Sequence, residues 1–87
     1  MKQIWKYELK TTDTQTLAIP EGYKILCIQK QYSDPCIWVE VEPDNKKTSV
    51  IIDIFGTGHV MSDLKREYIG TYQLNNGSLV FHAFERI

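Results

Sequence analysis

Residues 23–55 read YKILCIQKQYSDPCIWVEVEPDNKKTSVIIDIF. Apolar side chains alternate with polar ones along much of this stretch, the period-two signature of strands with one buried face. Ser33-Asp34-Pro35 and Pro43-Asp44-Asn45-Lys46-Lys47 interrupt it with turn chemistry, leaving three strands at Tyr23–Gln31, Cys36–Glu42 and Ser49–Phe55. A turn about Ser33 and Asp34 places Ile28 opposite Val39 and Leu26 opposite Val41. A second turn about Asn45 and Lys46 places Val41 opposite Val50, Val39 opposite Ile52 and Ile37 opposite Ile54. One face of this predicted meander is then uniformly apolar: Leu26, Ile28, Ile37, Val39, Val41, Val50, Ile52 and Ile54. A slip of one residue would turn one strand's set to the other face, so the agreement supports the register.

The other face carries Cys27, Cys36, Trp38, Glu40, Ile51, Asp53 and Phe55, which is mixed rather than polar. It calls for a second layer over part of it, or a partner. The same register separates Cys27 from Cys36 by four residues, about 13 Å along the sheet. A disulfide needs α-carbons within about 7 Å, so both are read as free thiols.

Outward from this stretch the pattern continues. Ile4–Leu9 puts Trp5, Tyr7 and Leu9 on one side, and Thr14–Ile19 does the same with Gln15, Leu17 and Ile19. Pro20-Glu21-Gly22 is a turn. Tyr68–Leu74 and Ser78–Glu85 flank Asn75-Asn76-Gly77, and Asn-Gly is the strongest short hairpin signal because both residues accept positive φ. With Asn76 and Gly77 central, Leu74 meets Leu79, Tyr72 meets Phe81 and Gly70 meets Ala83. On the other face Ile69 meets Phe84, Thr71 meets His82 and Gln73 meets Val80. Ser62 is placed to cap one helical turn before Glu67. The expected fold is mostly β: a small antiparallel sandwich or partly open barrel of about seven short strands, with at most one short helical turn near 62–67.

Eighty-seven residues make one domain, 1–87. Ten basic residues against eleven acidic ones leave a formal charge of -1, which argues against general nucleic-acid binding. No apolar run approaches the roughly 20 residues of a membrane span. Met1–Lys6 lacks the apolar core of a signal peptide, so the expected location is the cytoplasm.

Gly56-Thr57-Gly58-His59 is the most unusual local sequence. Two glycines allow backbone amides to converge on an anion, with a hydroxyl and an imidazole beside them. Lys65 and Arg66 follow closely, so Gly56, Thr57, Gly58, His59, Lys65 and Arg66 form a candidate ligand site. The competing reading is a strand exit that needs glycine conformations. Trp38, Glu40, Asp53 and Phe55 form a candidate interface on the mixed face. His59 and His82 are the only histidines, and no nucleophile sits in a catalytic spacing with either. A hydrolase using one of them is the least favoured reading, and His82 is expected to bond Thr71 across the hairpin. No Cys/His grouping has metal-site spacing, so neither a metal nor a cofactor is expected.

Ile4-Trp5-Lys6-Tyr7, the stretch Ile25–Pro43 with Pro35-Cys36-Ile37-Trp38 at its centre, Gly56-Thr57-Gly58-His59, Tyr68-Ile69-Gly70-Thr71-Tyr72-Gln73-Leu74 and Leu79-Val80-Phe81-His82-Ala83-Phe84-Glu85 together resemble a family of small uncharacterised proteins encoded by bacteriophages and prophages. The chain departs from that pattern at Ser62–Glu67, which is more charged. The resemblance implies no catalytic residues. It implies a binding role in a host cell's cytoplasm: occluding an effector protein of a host defence, or sequestering a nucleotide-like signal. The alternatives are a protein–protein module, including self-association into a homo-oligomer, or a minor virion component.

Overall fold

The computed structural model describes all of residues 1–87. Seven strands form: β1 (Gln3–Glu8), β2 (Thr14–Pro20), β3 (Lys24–Gln31), β4 (Asp34–Val41), β5 (Lys47–Gly56), β6 (Arg66–Leu74) and β7 (Leu79–Arg86). They make two antiparallel sheets, β1-β4-β3 and β2-β5-β7-β6, with no closed barrel. The thinnest dimension of the backbone is 15 Å, which fits two layers about 10 Å apart. No helix is long and apolar enough to cross a membrane.

The predicted apolar face is present but differently arranged. Of its eight residues, all but Leu26 are buried in one core with Leu9, Ile19, Tyr72 and Ala83. They do not share a sheet, because β4 and β5 do not pair. The loop after Val41 carries the chain to the other layer, where β5 pairs with β2 and β7. The apolar faces of β4 and β5 meet across the sandwich instead of lying side by side. A flat meander would have left that whole face to be covered by other residues; folding at Pro43 lets its two halves cover each other.

The β3–β4 register also differs from expectation. Ile28 lies opposite Ile37 rather than Val39, a shift of two residues that preserves which side chains face inward. Tyr32 takes positive φ in the turn, and Asp34 already belongs to β4. The physical reason is Pro35, whose ring pushes the preceding residue out of the helical region and into extended backbone. A β-bulge follows: Ile25 faces Val39, Cys27 faces Trp38, and Leu26 is the extra residue left exposed. Ile25 takes the core-facing role predicted for Leu26. Cys36 lies opposite Gln29, so the two cysteines are two residues apart along the sheet rather than four, and both are free.

The last hairpin follows its predicted register from Gly70/Ala83 to Leu74/Leu79. Asn76 (φ 55°, ψ 33°) and Gly77 (φ 90°) are the central pair, closed by the Ser78 amide donating to the Asn75 carbonyl. Beyond Gly70 a second bulge intervenes, and Tyr68 rather than Ile69 faces Phe84. The helical turn expected near 62–67 does not form. Ser62, its expected cap, gives both its carbonyl and its hydroxyl to the Arg66 guanidinium, and Arg66 opens β6. The one short helical segment is the 3₁₀ turn Asn75–Gly77.

The edge strands β3 and β6 approach each other along one side of the sandwich. A β-carbon on Gly70 would lie 2.4 Å from Cγ2 of Ile28, so only glycine lets these edges meet. On the opposite side the Tyr7 hydroxyl donates to the Ala18 carbonyl across the other two edges. Gly70→Ala is expected to cost about 1–3 kcal/mol through overpacking. Combined with Ile28→Ala, it should cost less than the sum of the single changes, because the clashing methyl is gone. Urea unfolding of the three variants checks this, and strict additivity would refute the contact.

Candidate functional site

The run Val50-Ile51-Ile52-Asp53-Ile54-Phe55 places one carboxylate inside an apolar strand. Alternation sends Ile52 and Ile54 into the core and Asp53 and Phe55 to the outer face of the four-stranded sheet. Asp53 is nonetheless only 1% exposed. A carboxylate taken from water requires charged partners. The fold supplies two. Arg66 and Arg86 stand opposite each other on β6 and β7, and both reach Asp53. Arg66 donates from Nε to Oδ2 at 2.7 Å. Arg86 donates from Nε to Oδ2 at 3.0 Å and from Nη2 to Oδ1 at 2.7 Å. Thr14, opposite Asp53 on β2, donates its hydroxyl to Oδ1 at 2.8 Å. Burial pushes the Asp53 carboxyl upward, but the bonds from Arg86, Arg66 and Thr14 outweigh it and hold it down at about 2.

The same guanidiniums organise what lies above the sheet. Arg66 donates from Nη1 and Nη2 to the carbonyl and hydroxyl of Ser62, which pins the 57–65 loop over the strand ends. Its Cζ also sits 4.9 Å from the Phe55 ring centroid, within cation–π range. Phe55 packs edge-on against Phe84, and Tyr68 also packs against Phe84. This loop and these rings form the second layer called for by the mixed face. Between loop and sheet lies a pocket of about 330 Å³, with Asp13, Phe55, His59, Ser62 and Arg86 among its walls.

The predicted ligand residues are partly brought together here. His59 and Arg66 line the pocket. The Gly56–His59 segment is a tight turn: the His59 amide donates to the Gly56 carbonyl, the Thr57 amide to the Val80 carbonyl, and Gly58 has φ 90°. Amides 57 and 59 are therefore engaged within the chain instead of converging outward. Gly56 makes room for the His59 ring, which a β-carbon would meet at 2.8 Å. Lys65 is exposed and stands outside the pocket; its carbonyl accepts from the Ile87 amide. Arg66 has a structural role, with donors on all three of its nitrogens engaged.

The predicted interface divides. Asp53 and Phe55 line the pocket, whereas Trp38 and Glu40 lie half-buried on β4 in the other sheet, where Glu40 pairs with Lys2 at 3.4 Å. They part because β4 and β5 belong to different layers. His82 bonds Thr71 as expected, through Nδ1 at 2.9 Å, and shares a second bond from Nε2 to the Thr57 hydroxyl at 2.7 Å. Thr14 and Arg86 were not anticipated. The available signal was Asp53 itself, since a charge within an apolar strand requires cations to cover it.

A second concavity, about 560 Å³, opens between the bulged edges of β3 and β6. Tyr23, Ile25, Leu26, Tyr68, Ile69 and Ile87 give it an apolar lining. Glu67 and Glu85 also line it and are paired directly across β6 and β7. The Tyr23 hydroxyl donates to Glu85, and burial, then this bond and the nearby carboxylates, push its ionisation well up.

A two-layer antiparallel β-sandwich with a buried carboxylate–diarginine clamp under a structured loop is the class of protein that these features define. The chain belongs to the family described as Domain of unknown function (DUF7352), whose model matches residues 1–87. No curated protein and no solved structure matches it.

Asp53→Ala leaves two arginines without their counter-charge and is expected to cost about 3–5 kcal/mol in urea unfolding. The native carboxyl ionises below its ordinary value of 3.8. Its stabilisation is therefore complete above the unfolded value and is lost as pH falls toward about 2, amounting to about 2 kcal/mol. Asp53→Asn should flatten that part of the stability profile between about pH 5 and pH 2. An unchanged acid slope in this variant would contradict the assignment.

Proposed function

We propose that this chain is a non-enzymatic binding module that holds a small anionic, ring-bearing ligand in the pocket beneath the 57–65 loop. The observation that carries the reading is the convergence of Phe55, His59 and Arg86 on that one pocket. Asp53 is shared by two guanidiniums, and with Asp13 also in the wall the formal charges of the pocket balance, so an anion would be held by directed donors rather than by net charge. Arg86 engages Asp53 through Nε and Nη2, leaving Nη1 as a donor toward a ligand. His59 is exposed at the rim and adds a second donor. Phe55 supplies an apolar ring in the wall. The volume of about 330 Å³ falls at the small-molecule end of ligand pockets, a size suited to a mononucleotide.

His82 has a threonine hydroxyl on each ring nitrogen, so neither nitrogen is open to a substrate, which supports a role without catalysis. The resemblance to phage-encoded proteins supplies the context. There the chain would act in the host cytoplasm by sequestering a nucleotide-like signal of a defence pathway.

Calorimetric titration with a panel of linear and cyclic nucleotides tests the reading. At least one member should bind more tightly than about 1 mM. His59→Ala and Arg86→Lys should each weaken that member roughly tenfold while the chain stays folded. Absence of binding across the panel, or binding indifferent to both changes, would refute it.

A further inference from the structure

Two unexplained apolar features lie side by side. The 57–65 loop turns large apolar side chains to solvent: Val60 is 92% exposed, Leu64 50% and Met61 45%. The loop is nevertheless held in place, by Arg66 on Ser62 and by the Leu64 amide on the Ser62 carbonyl. A fixed loop that displays three apolar side chains presents a preformed contact surface. The groove between β3 and β6 is the complementary feature. Leu26, Tyr68 and Ile87 are all exposed along it.

The charges are complementary too. Glu67 and Glu85 face each other across β6 and β7, an arrangement that like charges disfavour. Neither belongs to a salt bridge, since the chain's ion pairs use Glu42, Glu40 and Asp53. Lys24 lines the groove without pairing either of them. Lys65, at the end of the apolar loop, is likewise unpaired. The Ile87 amide donates to the Lys65 carbonyl, so the loop ends at the rim of the groove. A protruding element and its complement on one side of a molecule are what a two-fold contact requires, because each copy then gives its loop and receives its partner's.

We propose that the chain forms a symmetric dimer in which the Val60–Lys65 loop of each copy lies in the β3–β6 groove of the other. Val60, Met61 and Leu64 pack on Leu26, Tyr68 and Ile87, and Lys65 meets Glu67 and Glu85. The occupant of the groove is a second copy because the chain itself carries a segment of matching chemistry. The inference stands independently of the ligand reading.

Sedimentation equilibrium of the full chain tests it, at concentrations up to roughly 0.1 mM. The expected mass is that of a dimer. Val60→Asp and Leu26→Asp, on opposite sides of the contact, should each give a monomer with an unchanged circular dichroism spectrum. Lys65→Glu and Glu67→Lys should each weaken association roughly tenfold, and the double reversal should restore it. Rescue of this kind separates the contact from a folding defect. A monomer at every concentration would leave the groove to a foreign protein and overturn the proposal. Association insensitive to both aspartate substitutions, or a double reversal no better than the single ones, would also overturn it.

Discussion

Asp53 holds a negative charge where water does not reach, and much of the outer architecture follows from how that charge is compensated. Thr14, Arg66 and Arg86 bring β2, β6 and β7 to one carboxylate on β5. The two arginines stand directly opposite each other and would repel if Asp53 did not lie between them. Arg66 then extends the order outward by gripping Ser62. The inner core is a thin layer of aliphatic side chains, as expected of a chain that buries only about 60–65% of its unfolded surface. Removing one partner of the clamp leaves a charge buried without compensation, so its side chains depend on one another.

The sandwich has four edge strands, and each is blunted. β3 and β6 carry bulges and meet at Gly70, where one β-carbon would be too many. β1 carries charged side chains and β2 ends at Pro20. These are recognised devices against edge-to-edge pairing. The bulges also shape the surface, because the groove opens where they leave Leu26 and Ile69 outside the ladder. Both concavities thus arise from departures from regular pairing: the groove from two bulges, the pocket from a loop that a buried ion pair holds over the sheet.

Strand positions and the inward faces of β4 and β5 were legible because the side-chain period in a strand is two, and the alternation around Val39 and Ile52 admits one assignment. The β6–β7 register was legible because Asn76 and Gly77 accept positive φ and fix the turn. The β3–β4 register lies two residues from the one the turn residues predict because Pro35 acts on Asp34 through local sterics that outweigh Asp34's turn preference. The bulges at Leu26 and Ile69 left no mark, since an extra apolar residue in a strand reads the same whether paired or not. Of the candidate site, His59, Arg66, Asp53 and Phe55 were singled out, but as members of two separate groups. Arg86 lay beyond the expected end of its strand.

The sequence by itself determined which segments are strands, which side chains of β4 and β5 face the core and where the last hairpin turns, because these rest on φ/ψ preferences and on contacts between near neighbours. The tertiary structure alone decided that β4 and β5 lie in different sheets, that Asp53 meets two arginines from distant strands and that Trp38 stands apart from Phe55. The reason is physical: an apolar strand face is equally satisfied beside another strand or across from one. Only the packing of the whole chain, with the buried charge compensated and the edges brought together, selects between them.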